Sequence, residues 1–599
     1  MIIERVKALL RKSELTYKAA IWLFISVKEI RKKYLSDTQI LLKIEKAKNK
    51  EIAGIVQSDQ FVSYLYPTNK FKLGNKRKKI IYSQKKFEDK SNDFNTRLKS
   101  LLICMVTINP YEMDSDKLID FGFGLGKSFR KSIFIYFFNT FVLYQKIEES
   151  NKHAIFLSKA IERLYKDLSK ASLSEATDCI DLFATCFTGS IQIANTSNMK
   201  NLYVNMRNLL EFYLNIKYKI PDFTGRPVRK RSGDKIKVGL LRHSFNGELL
   251  NFEPLYTSLD FNKYDVHIYV FSKDGIERIR DYPNIKYHIL SPNNIEESLL
   301  MLRGEMCDIL IQSSTLSGNF LDPVAMIFTL RASQCQLTNC VDITTTGIKN
   351  IDYFVIGQRY SKLDLKSEMS ERLSFFSGVG WTLPKAPIPT KGKKEIRRLL
   401  GVGADEILYV SNAHIFKLTP ETIRAWVKIL CQKKESKILL MPFNSLSRKK
   451  QFGEKFLSLI KDECKKYSLS IDRFIIIDTL GSHNCINYLV AGDIYLDCFP
   501  YAGPTSSCES LSLGIPVVTM TGAFYRNSLT AGFLLELNLK SLIATDERDY
   551  IKKVMNLSVN KNELIALNKI IKKRIANAPF YDNKKAANEW GRLFCKLTN

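Results

Sequence analysis

Hydrophobic side chains recur three and four residues apart from residue 1 to about residue 220, with few of the glycines and prolines that interrupt helices. The series Leu157, Ile161, Leu164 and Leu168 places four apolar side chains on one face of a helix. We find no repeat of about 34 residues, the period of one common class of helical-repeat protein. The pattern predicts an all-α domain over residues 1–220, of a kind that acts as a scaffold or recruits a partner protein.

The pattern changes after residues 221–235, a segment rich in proline, glycine and charge that we predict to be a linker. Short apolar runs then alternate with amphipathic runs, which predicts parallel strands connected by helices. This rhythm indicates a first Rossmann-type lobe over residues 236–380. Its predicted strands are 236–241, 266–271 and 308–312, and its predicted helices lie near 252–259 and 295–302.

A second linker is predicted at residues 381–394, and the same rhythm then starts again. It predicts a second Rossmann-type lobe over residues 395–599, whose last residues, from Tyr550 onward, form two or three helices that pack back across the lobes. Two such units in tandem form a cleft, and open parallel sheets bind ligands beyond the carboxyl ends of their strands. The predicted strands are 407–411, 438–441, 474–478, 494–497 and 517–520, and the predicted helices are 420–431 and 449–467.

Charge and cysteine content add little to this picture. The 599 residues carry a formal net charge of +30, but lysine is spread along the whole chain, as a compositional bias would spread it. The twelve cysteines include no Cys-x-x-Cys pair and no cluster with histidine at zinc-ligand spacing, so we expect small buried side chains in a reducing, cytoplasmic compartment.

The apolar run 132–144 is shorter than the roughly 20 residues that span a bilayer, and we predict a buried helix there. Peripheral contact with an anionic membrane stays open, whereas no motif for nucleic-acid binding is present.

The segment from Tyr495 to Gly522 is the one most suggestive of chemistry. A buried strand ends near Asp497, a turn containing proline and glycine follows, and hydroxyl residues then open a helix. Unpaired N–H groups and partial positive charge make a helix N-terminus a site for phosphate, and Glu509 could accept hydrogen bonds from ribose. The alternative is an ordinary strand–turn–helix with Thr or Ser as N-cap. The candidate donor-binding residues here are Gly503, Pro504, Thr505, Ser506, Ser507 and Glu509.

The sequence of this segment, DCFPYAGPTSSCESLSLGIPVVTMTG, resembles the donor-binding segment of glycosyltransferase family 41. That family contains the protein O-GlcNAc transferases and the bacterial adhesin N-glucosyltransferases. The resemblance places Lys417, in the segment SNAHIFKLTP, where the family has a lysine that contacts the donor diphosphate. It makes His483, in LGSHN, a candidate contact to the uridine. Residues 308–312 and 336–353 match the pattern of the family's first lobe, so the resemblance runs from about residue 236 to 545.

The chain departs from the family on the acceptor side. Where the family has Gly-Tyr-Val-Ser-x-Asp-Phe-x-x-His, this chain has GLLRHSFNGE, so Ser244 replaces the aspartate and Glu248 the histidine. His243 lies five residues earlier, where the N-glucosylating branch also has histidine. Residues 341–344 replace the family's Gly-Tyr-Pro-Gly loop. Glu248 and His243 are therefore the candidate catalytic residues, each as a base or an orienting group, and Glu248 could equally be structural.

The resemblance implies a GT-B-like fold and an inverting, metal-independent transfer of a hexose or N-acetylhexosamine. The donor would be a UDP-sugar and the acceptor a Ser, Thr or Asn side chain of a protein, such as an adhesin or another surface protein. No cofactor and no metal site are expected. Two alternatives stay open: a UDP-sugar transferase with a lipid-linked or polysaccharide acceptor, and an inactive transferase-like partner subunit.

Four further residues are expected to be unremarkable. His153, His267 and His288 lie in apolar or mixed sequence and are predicted to be structural. Arg526 is expected to be an exposed side chain near a helix start, with contact to the diphosphate as the alternative.

Overall fold

The structure is a computed structural model, and it describes residues 44, 94–112, 127–139, 143–187, 189–218, 220, 223, 235–245, 251–278, 282–316, 320–443, 449–478 and 482–598. These residues form two compact units. The smaller unit contains the described residues before 143 together with 155–188 and 450–454, and the larger one contains the rest. In the described part of the chain we number the helices α1–α18 and the strands β1–β13.

The smaller unit is helical. The predicted apolar stripe on α3 is confirmed, because Leu157, Ile161 and Leu164 are fully buried and Leu168 is 1% exposed. The predicted buried helix over 132–144 is confirmed only as far as Phe138, where α2 ends. Its helices are α1 (Phe94–Thr107), α2 (Lys127–Phe138), most of α3 (Glu149–Leu168) and α4 (Leu173–Cys186).

The larger unit contains two sheets, and the first has seven parallel strands in the order β3-β2-β1-β4-β5-β6-β7. Its strands are β1 (Ile236–Arg242), β2 (Tyr264–Val270), β3 (Lys286–Ile289), β4 (Ile309–Gln312), β5 (Cys335–Thr338), β6 (Tyr353–Gly357) and β7 (Arg372–Phe376). The helices of this stretch are α5 (Lys200–Tyr218), α6 (Glu253–Thr257), α7 (Ile295–Gly304), α8 (Pro323–Thr329) and α9 (Leu365–Glu368).

The second sheet has six parallel strands in the order β10-β9-β8-β11-β12-β13. Its strands are β8 (Ile407–Ser411), β9 (Ser436–Leu440), β10 (Phe474–Ile476), β11 (Ile494–Leu496), β12 (Val517–Met520) and β13 (Ile543–Ala544). Its helices are α10 (Lys393–Leu399), α11 (Pro420–Gln432), α12 (Lys449–Lys466), α13 (Ser482–Leu489), α14 (Pro504–Ser512), α15 (Leu529–Glu536), α16 (Glu547–Val559), α17 (Lys561–Ala576) and α18 (Asn583–Thr598).

The predicted α/β, GT-B-like architecture of two Rossmann-type lobes with a helical region before them is confirmed. The last helix returns to the first lobe: Trp590 and Phe594 of α18 belong to that lobe's apolar core. The Tyr264 hydroxyl of β2 also donates to the carbonyl oxygen of Gly591 in α18, at 2.9 Å.

Helix α5 belongs to the same unit as the lobes, which differs from the predicted boundary at residue 220. The buried Arg207 of α5 donates to the carbonyl oxygens of Thr346 at 3.2 Å and Leu316 at 3.3 Å, both in the first lobe. Gly347 has a φ of +71°, and a Cβ there would lie 2.5 Å from the backbone of Tyr203. A glycine is therefore required where α5 crosses this loop.

No helix in the described ranges is both long enough and apolar enough to cross a membrane.

Candidate functional site

The buried carboxylate of Asp497, directly after β11, organises the turn that leads into α14. It accepts hydrogen bonds from the N–H groups of Cys498 at 3.0 Å and Gly503 at 3.1 Å. Its other oxygen accepts from the hydroxyl of Thr519, at 2.7 Å. Burial raises the pKa of Asp497, and the hydrogen bonds from Thr519 and Gly503 oppose that shift only in part. The turn from 497 to 503 is thereby held in one shape, which fixes where α14 begins.

Helix α14 starts with N–H groups that have no partner within the helix. Gly503 is its N-cap, Pro504 has no N–H, and the first intrahelical bond runs from the Ser507 N–H to the Gly503 carbonyl oxygen at 3.0 Å. The N–H groups of Thr505 and Ser506 precede that bond, so they point beyond the helix end. The side chain of Thr505 is exposed and that of Ser506 is half-buried. This terminus carries partial positive charge and suits an anion.

The hydroxyl of Ser507 faces the interior rather than the helix end. It is fully buried and lies 3.3 Å from the hydroxyl oxygen of Thr530 in α15. Of the three hydroxyl residues that the sequence proposed, the structure therefore leaves the side chains of Thr505 and Ser506 at the surface of the helix terminus.

Lys417 lies beside this helix terminus. It ends a short 3₁₀-helix, Ile415–Lys417, that follows β8. Its ammonium lies 4.6 Å from the ring centroid of Tyr501 and 3.7 Å from where a Cβ on Gly503 would lie. The cation–π contact with Tyr501 holds the charge at the N-cap of α14. The structure thus brings together Lys417 and the residues from 503 to 506, which are far apart in sequence.

Glu509, in the second turn of α14, is tied to the end of β8. One of its carboxylate oxygens accepts from the side-chain amide of Asn412, at 2.9 Å. The amide oxygen of Asn412 in turn accepts from the hydroxyl of Tyr495, at 3.0 Å. The carboxylate is half-buried at the carboxyl edge of the sheet, and its contact with a ribose stays a prediction.

His483 and Glu248 cannot be placed in the same detail. The structure places His483 in α13, after β10, but does not describe its side chain. Glu248 lies outside the described residues.

His243, directly after β1 in the first lobe, forms a pair with Asp322. Its Nε2 lies 2.5 Å from one carboxylate oxygen of Asp322. The other oxygen of Asp322 caps α8 by accepting from the N–H groups of Val324 at 2.8 Å and Ala325 at 3.1 Å. The imidazole is 41% exposed while Asp322 is buried, so a fixed carboxylate holds a ring that solvent can reach. This is the arrangement of a histidine base with its orienting acid.

Sequence reasoning missed Asp322. An aspartate before proline is a typical helix N-cap signal. Capping uses only one of the two carboxylate oxygens, so the signal predicts no partner for the other. The pairing with His243 joins residues 79 positions apart and depends on the adjacency of β1 and β4.

Sequence reasoning also missed the role of Asp342, in the loop that replaces the family's Gly-Tyr-Pro-Gly. Its carboxylate is buried and accepts from the amide of Gln312 at 2.6 Å, the hydroxyl of Thr338 at 3.0 Å and the N–H of Leu316 at 3.2 Å. Burial raises the pKa of Asp342 to about 7, with a smaller contribution from Glu371. The residue organises the carboxyl edge of β4 and β5.

The prediction that Arg526 is exposed is wrong. Its side chain is fully buried, donates to Asn195 Oδ1 at 3.0 Å and to the carbonyl oxygen of Ser197, and lies 3.7 Å from Glu368. Burial lowers its pKa to about 10. Arg526 fastens the segment before α5 to the second lobe.

Comparison with known proteins finds a family match in the second lobe. Residues 387–590, which include Lys417 and the whole of α14, match the family model described as glycosyl transferase family 41. The match covers about a third of the chain's 599 residues, and over that stretch the chain is similar to this family. The residues that resembled the family's donor-binding segment therefore lie inside the matched region.

Among curated relatives, the chain is similar to the SPINDLY proteins of two plants, each named a probable UDP-N-acetylglucosamine–peptide N-acetylglucosaminyltransferase. With the protein of Eustoma exaltatum subsp. russellianum it shares 28% identity over 287 residues, which is 48% of this chain and 30% of the relative. With that of Arabidopsis thaliana it shares 26% over 394 residues, which is 63% of this chain and 42% of the relative. The chain thus spans less than half the length of either relative.

Among solved structures, a mutant of the Thermobaculum terrenum O-GlcNAc transferase has a similar fold. The TM-score is 0.55 at 16% identity, covering 88% of this chain and 98% of the other.

Proposed function

We propose that this protein transfers a sugar from a UDP-sugar to a side chain of a protein acceptor. The observation that carries the proposal is the position of the Lys417 ammonium at the N-cap of α14, at the carboxyl edge of the second sheet. The names of its curated relatives support N-acetylglucosamine as the sugar and a peptide as the acceptor. A hexose such as glucose is the second candidate sugar.

On the donor side, the diphosphate would lie between Lys417 and the N–H groups of Thr505 and Ser506. As the bond between the sugar C1 and the phosphate oxygen breaks, negative charge grows on the leaving UDP. An ammonium and a helix terminus that are already in place stabilise this charge without reorganising. These two groups supply positive charge from the chain itself, which supports a transfer that needs no metal ion.

On the acceptor side, His243 would act as the base. The carboxylate of Asp322 accepts a hydrogen bond from the Nε2–H of His243, so the neutral imidazole carries its lone pair on Nδ1. An acceptor hydroxyl or amide attacks C1 on the face opposite the diphosphate, its proton passes to Nδ1, and UDP leaves. One displacement of this kind inverts the configuration at C1. Glu248 remains the alternative base.

The proposal is tested by incubating the full chain with UDP-N-acetylglucosamine or UDP-glucose and a panel of proteins, lipid-linked sugars and polysaccharides. We expect release of UDP together with label on protein, and a transferred sugar of inverted configuration. Label only on lipid-linked sugar or polysaccharide would contradict a protein acceptor and would assign the acceptor to that class instead. UDP binding without turnover on any acceptor would indicate the non-catalytic partner, and a preference for GDP-sugars would contradict the uridine assignment.

A further inference from the structure

A second cluster of chemistry-bearing side chains lies in the first lobe, away from the strand ends. His267 stands in the middle of β2, His288 stands on the neighbouring edge strand β3, and Glu305 directly follows α7. The donor and acceptor groups described above all follow strands at their carboxyl ends. This cluster is therefore a separate feature of the sheet, and the transfer reaction makes no use of it.

The three side chains offer ligand atoms at short range. Nδ1 of His267 lies 2.9 Å from Nε2 of His288, and one carboxylate oxygen of Glu305 completes a set whose members all lie within 4.8 Å of one another. Two imidazole nitrogens on one tetrahedral zinc ion, each at about 2.0–2.1 Å, stand roughly 3.3 Å apart. The two rings need to separate by only a few tenths of an ångström to admit an ion.

The carboxylate of Asp265 determines which ring nitrogen of His267 carries the lone pair. Asp265 accepts from Nε2 of His267 at 3.0 Å, and Lys286 donates to the same oxygen at 3.1 Å. The proton of His267 is thereby held on Nε2, and its Nδ1 presents a lone pair toward His288 and Glu305. Carboxylate–histidine pairs of this kind orient the ligands of metal sites.

The cluster already attracts a positive charge. The ammonium of Lys237, at the start of β1, donates to Glu305, and its side chain is only 16% exposed. An ion that binds Glu305 must displace this ammonium, so Lys237 competes with it. The aromatic ring of Tyr269 stacks on His288 with centroids 4.7 Å apart and shields the pair on one side.

We propose that His267, His288 and Glu305 form a binding site for a divalent transition-metal ion of the zinc class. Two imidazole nitrogens and one carboxylate oxygen suit Zn²⁺, Co²⁺ or Ni²⁺ and do not suit Mg²⁺ or Ca²⁺, which prefer oxygen ligands. The ion joins the edge strand β3 to β2 and to the end of α7, so its effect is on the stability of the first lobe. The proposal goes beyond glycosyl transfer and does not depend on it.

Spacing in the sequence could not reveal this site. The ligands lie 21 and 17 residues apart on three different elements, whereas zinc motifs are recognised by pairs only a few residues apart. Adjacent strands in register bring His267 and His288 together, since Tyr269 pairs with His288 across the ladder.

The test uses the full chain after chelator treatment, titrated with Zn²⁺ and, in parallel, with Co²⁺. We expect one equivalent of Zn²⁺ to bind and to raise the melting temperature. We expect Glu305→Gln to weaken binding by about tenfold or more and Asp265→Asn by about tenfold. Glu297→Gln, an exposed position on the same helix α7, serves as the matched control and should bind as the wild type does.

Lys237→Gln gives a result that misfolding cannot imitate, because removal of the competing ammonium should tighten Zn²⁺ binding several-fold. The Co²⁺ form should show the ligand-field absorption of nitrogen and oxygen ligands without a thiolate charge-transfer band. The proposal is overturned by the absence of bound Zn²⁺ at one equivalent, by equal affinity of wild type and Glu305→Gln, or by a thiolate band, which would assign the metal to the cysteines.

Discussion

At the scale of single residues, the account depends on a few side chains whose positions are set by buried neighbours. Lys417 is held by the ring of Tyr501, the start of α14 by Asp497, and His243 by Asp322. Asp497 and Asp322 are buried. The groups expected to meet the substrate are more accessible, since Thr505 is exposed, the His243 imidazole is 41% exposed and Lys417 is half-buried. Packing therefore orients the groups that would do chemistry.

Replacing Lys417 by alanine should weaken UDP binding by about 10- to 100-fold, because a charge-assisted contact to a phosphate contributes about 1.5–3 kcal/mol. Calorimetric titration with UDP measures this directly. Lys465→Ala, an exposed lysine on α12, provides the control for nonspecific charge. Equal affinities of wild type and Lys417→Ala would remove the lysine from the donor site.

Replacing Gly503 by alanine should abolish donor binding and leave the fold intact. The backbone there has a φ of −99°, and the nearest atoms to a new Cβ are at 3.6–4.0 Å, so the methyl group meets no clash in the protein. It would occupy the space between Lys417 and the helix terminus, where the diphosphate is proposed to lie. Melting curves with and without UDP separate the two effects, and an undiminished UDP shift in this variant would contradict the placement.

Replacing His243 by glutamine should lower turnover by about 10²- to 10⁴-fold, the usual contribution of a general base, while UDP affinity stays unchanged. Asp322→Asn should also lower turnover, since asparagine can still cap α8 but no longer offers a carboxylate to the imidazole. Rates of UDP release at saturating donor measure both. If both variants keep wild-type rates, the base lies elsewhere, with Glu248 as the first alternative.

Sequence reasoning proposed residues for the donor site but could not predict what surrounds them. Lys417 and Thr505 stand in recognisable segments, whereas the burial of Ser507 and Arg526 depends on contacts with α15 and with residues 195–197. A motif records the residue type and the spacing, and the direction of a side chain is decided by tertiary packing. For this reason the predicted exposure of Arg526 was wrong.

At the scale of elements, the alternation of apolar runs predicted several buried central strands well. β8 and β12 have the predicted bounds, and β1 and β11 differ by one residue at one end. The strands absent from the sequence analysis are β3, β5, β6, β7 and β13, of two to five residues. Length alone does not explain the difference, since the predicted β11 and β12 have three and four residues. The edge strand β3 is largely exposed and polar, so it carries no apolar run that a sequence pattern could detect.

The contact between α5 and the loop after β5 yields a prediction at this scale. Gly347→Ala should strongly destabilise the larger unit, because the left-handed φ of +71° is unfavourable for alanine and the Cβ would overlap the backbone of Tyr203. The melting temperature of the larger unit measures this effect. In Gly304→Ala, the control, the new methyl group meets no atom within 4 Å, and we expect little change or a small gain. Equal melting temperatures for the two variants would show that this crossing contributes nothing to stability.

At the scale of the whole molecule, the two lobes and α5 form one compact unit. Its internal connections include buried ionisable groups, so its stability should depend on pH. Asp342 is the clearest case, since burial raises its pKa from 3.8 to about 7. A group whose pKa is higher in the folded state binds more protons there, so its stabilising contribution is complete below pH 3.8 and is lost as pH rises toward and through about 7.

Asp342→Asn should therefore gain stability relative to the wild type at pH 8 more than at pH 5, by roughly 2.7 kcal/mol, which is ~1.36 kcal/mol for each of the about two pH units between 5 and the raised pKa. Melting temperatures of both proteins at the two pH values measure the difference. Asp462→Asn, an exposed aspartate on α12, should show no such pH dependence. A relative gain for Asp342→Asn that is the same at both pH values would mean that Asp342 is ionised in the folded protein throughout this range.

The central claim is that the N-terminus of α14 and the Lys417 ammonium together bind the diphosphate of a UDP-sugar. A crystal structure of the full chain with UDP tests it most directly. The account predicts phosphate oxygens within hydrogen-bonding distance of the Thr505 and Ser506 N–H groups and of Lys417 Nζ. Nucleotide bound elsewhere, or a Lys417 side chain directed away from the phosphates, would contradict it.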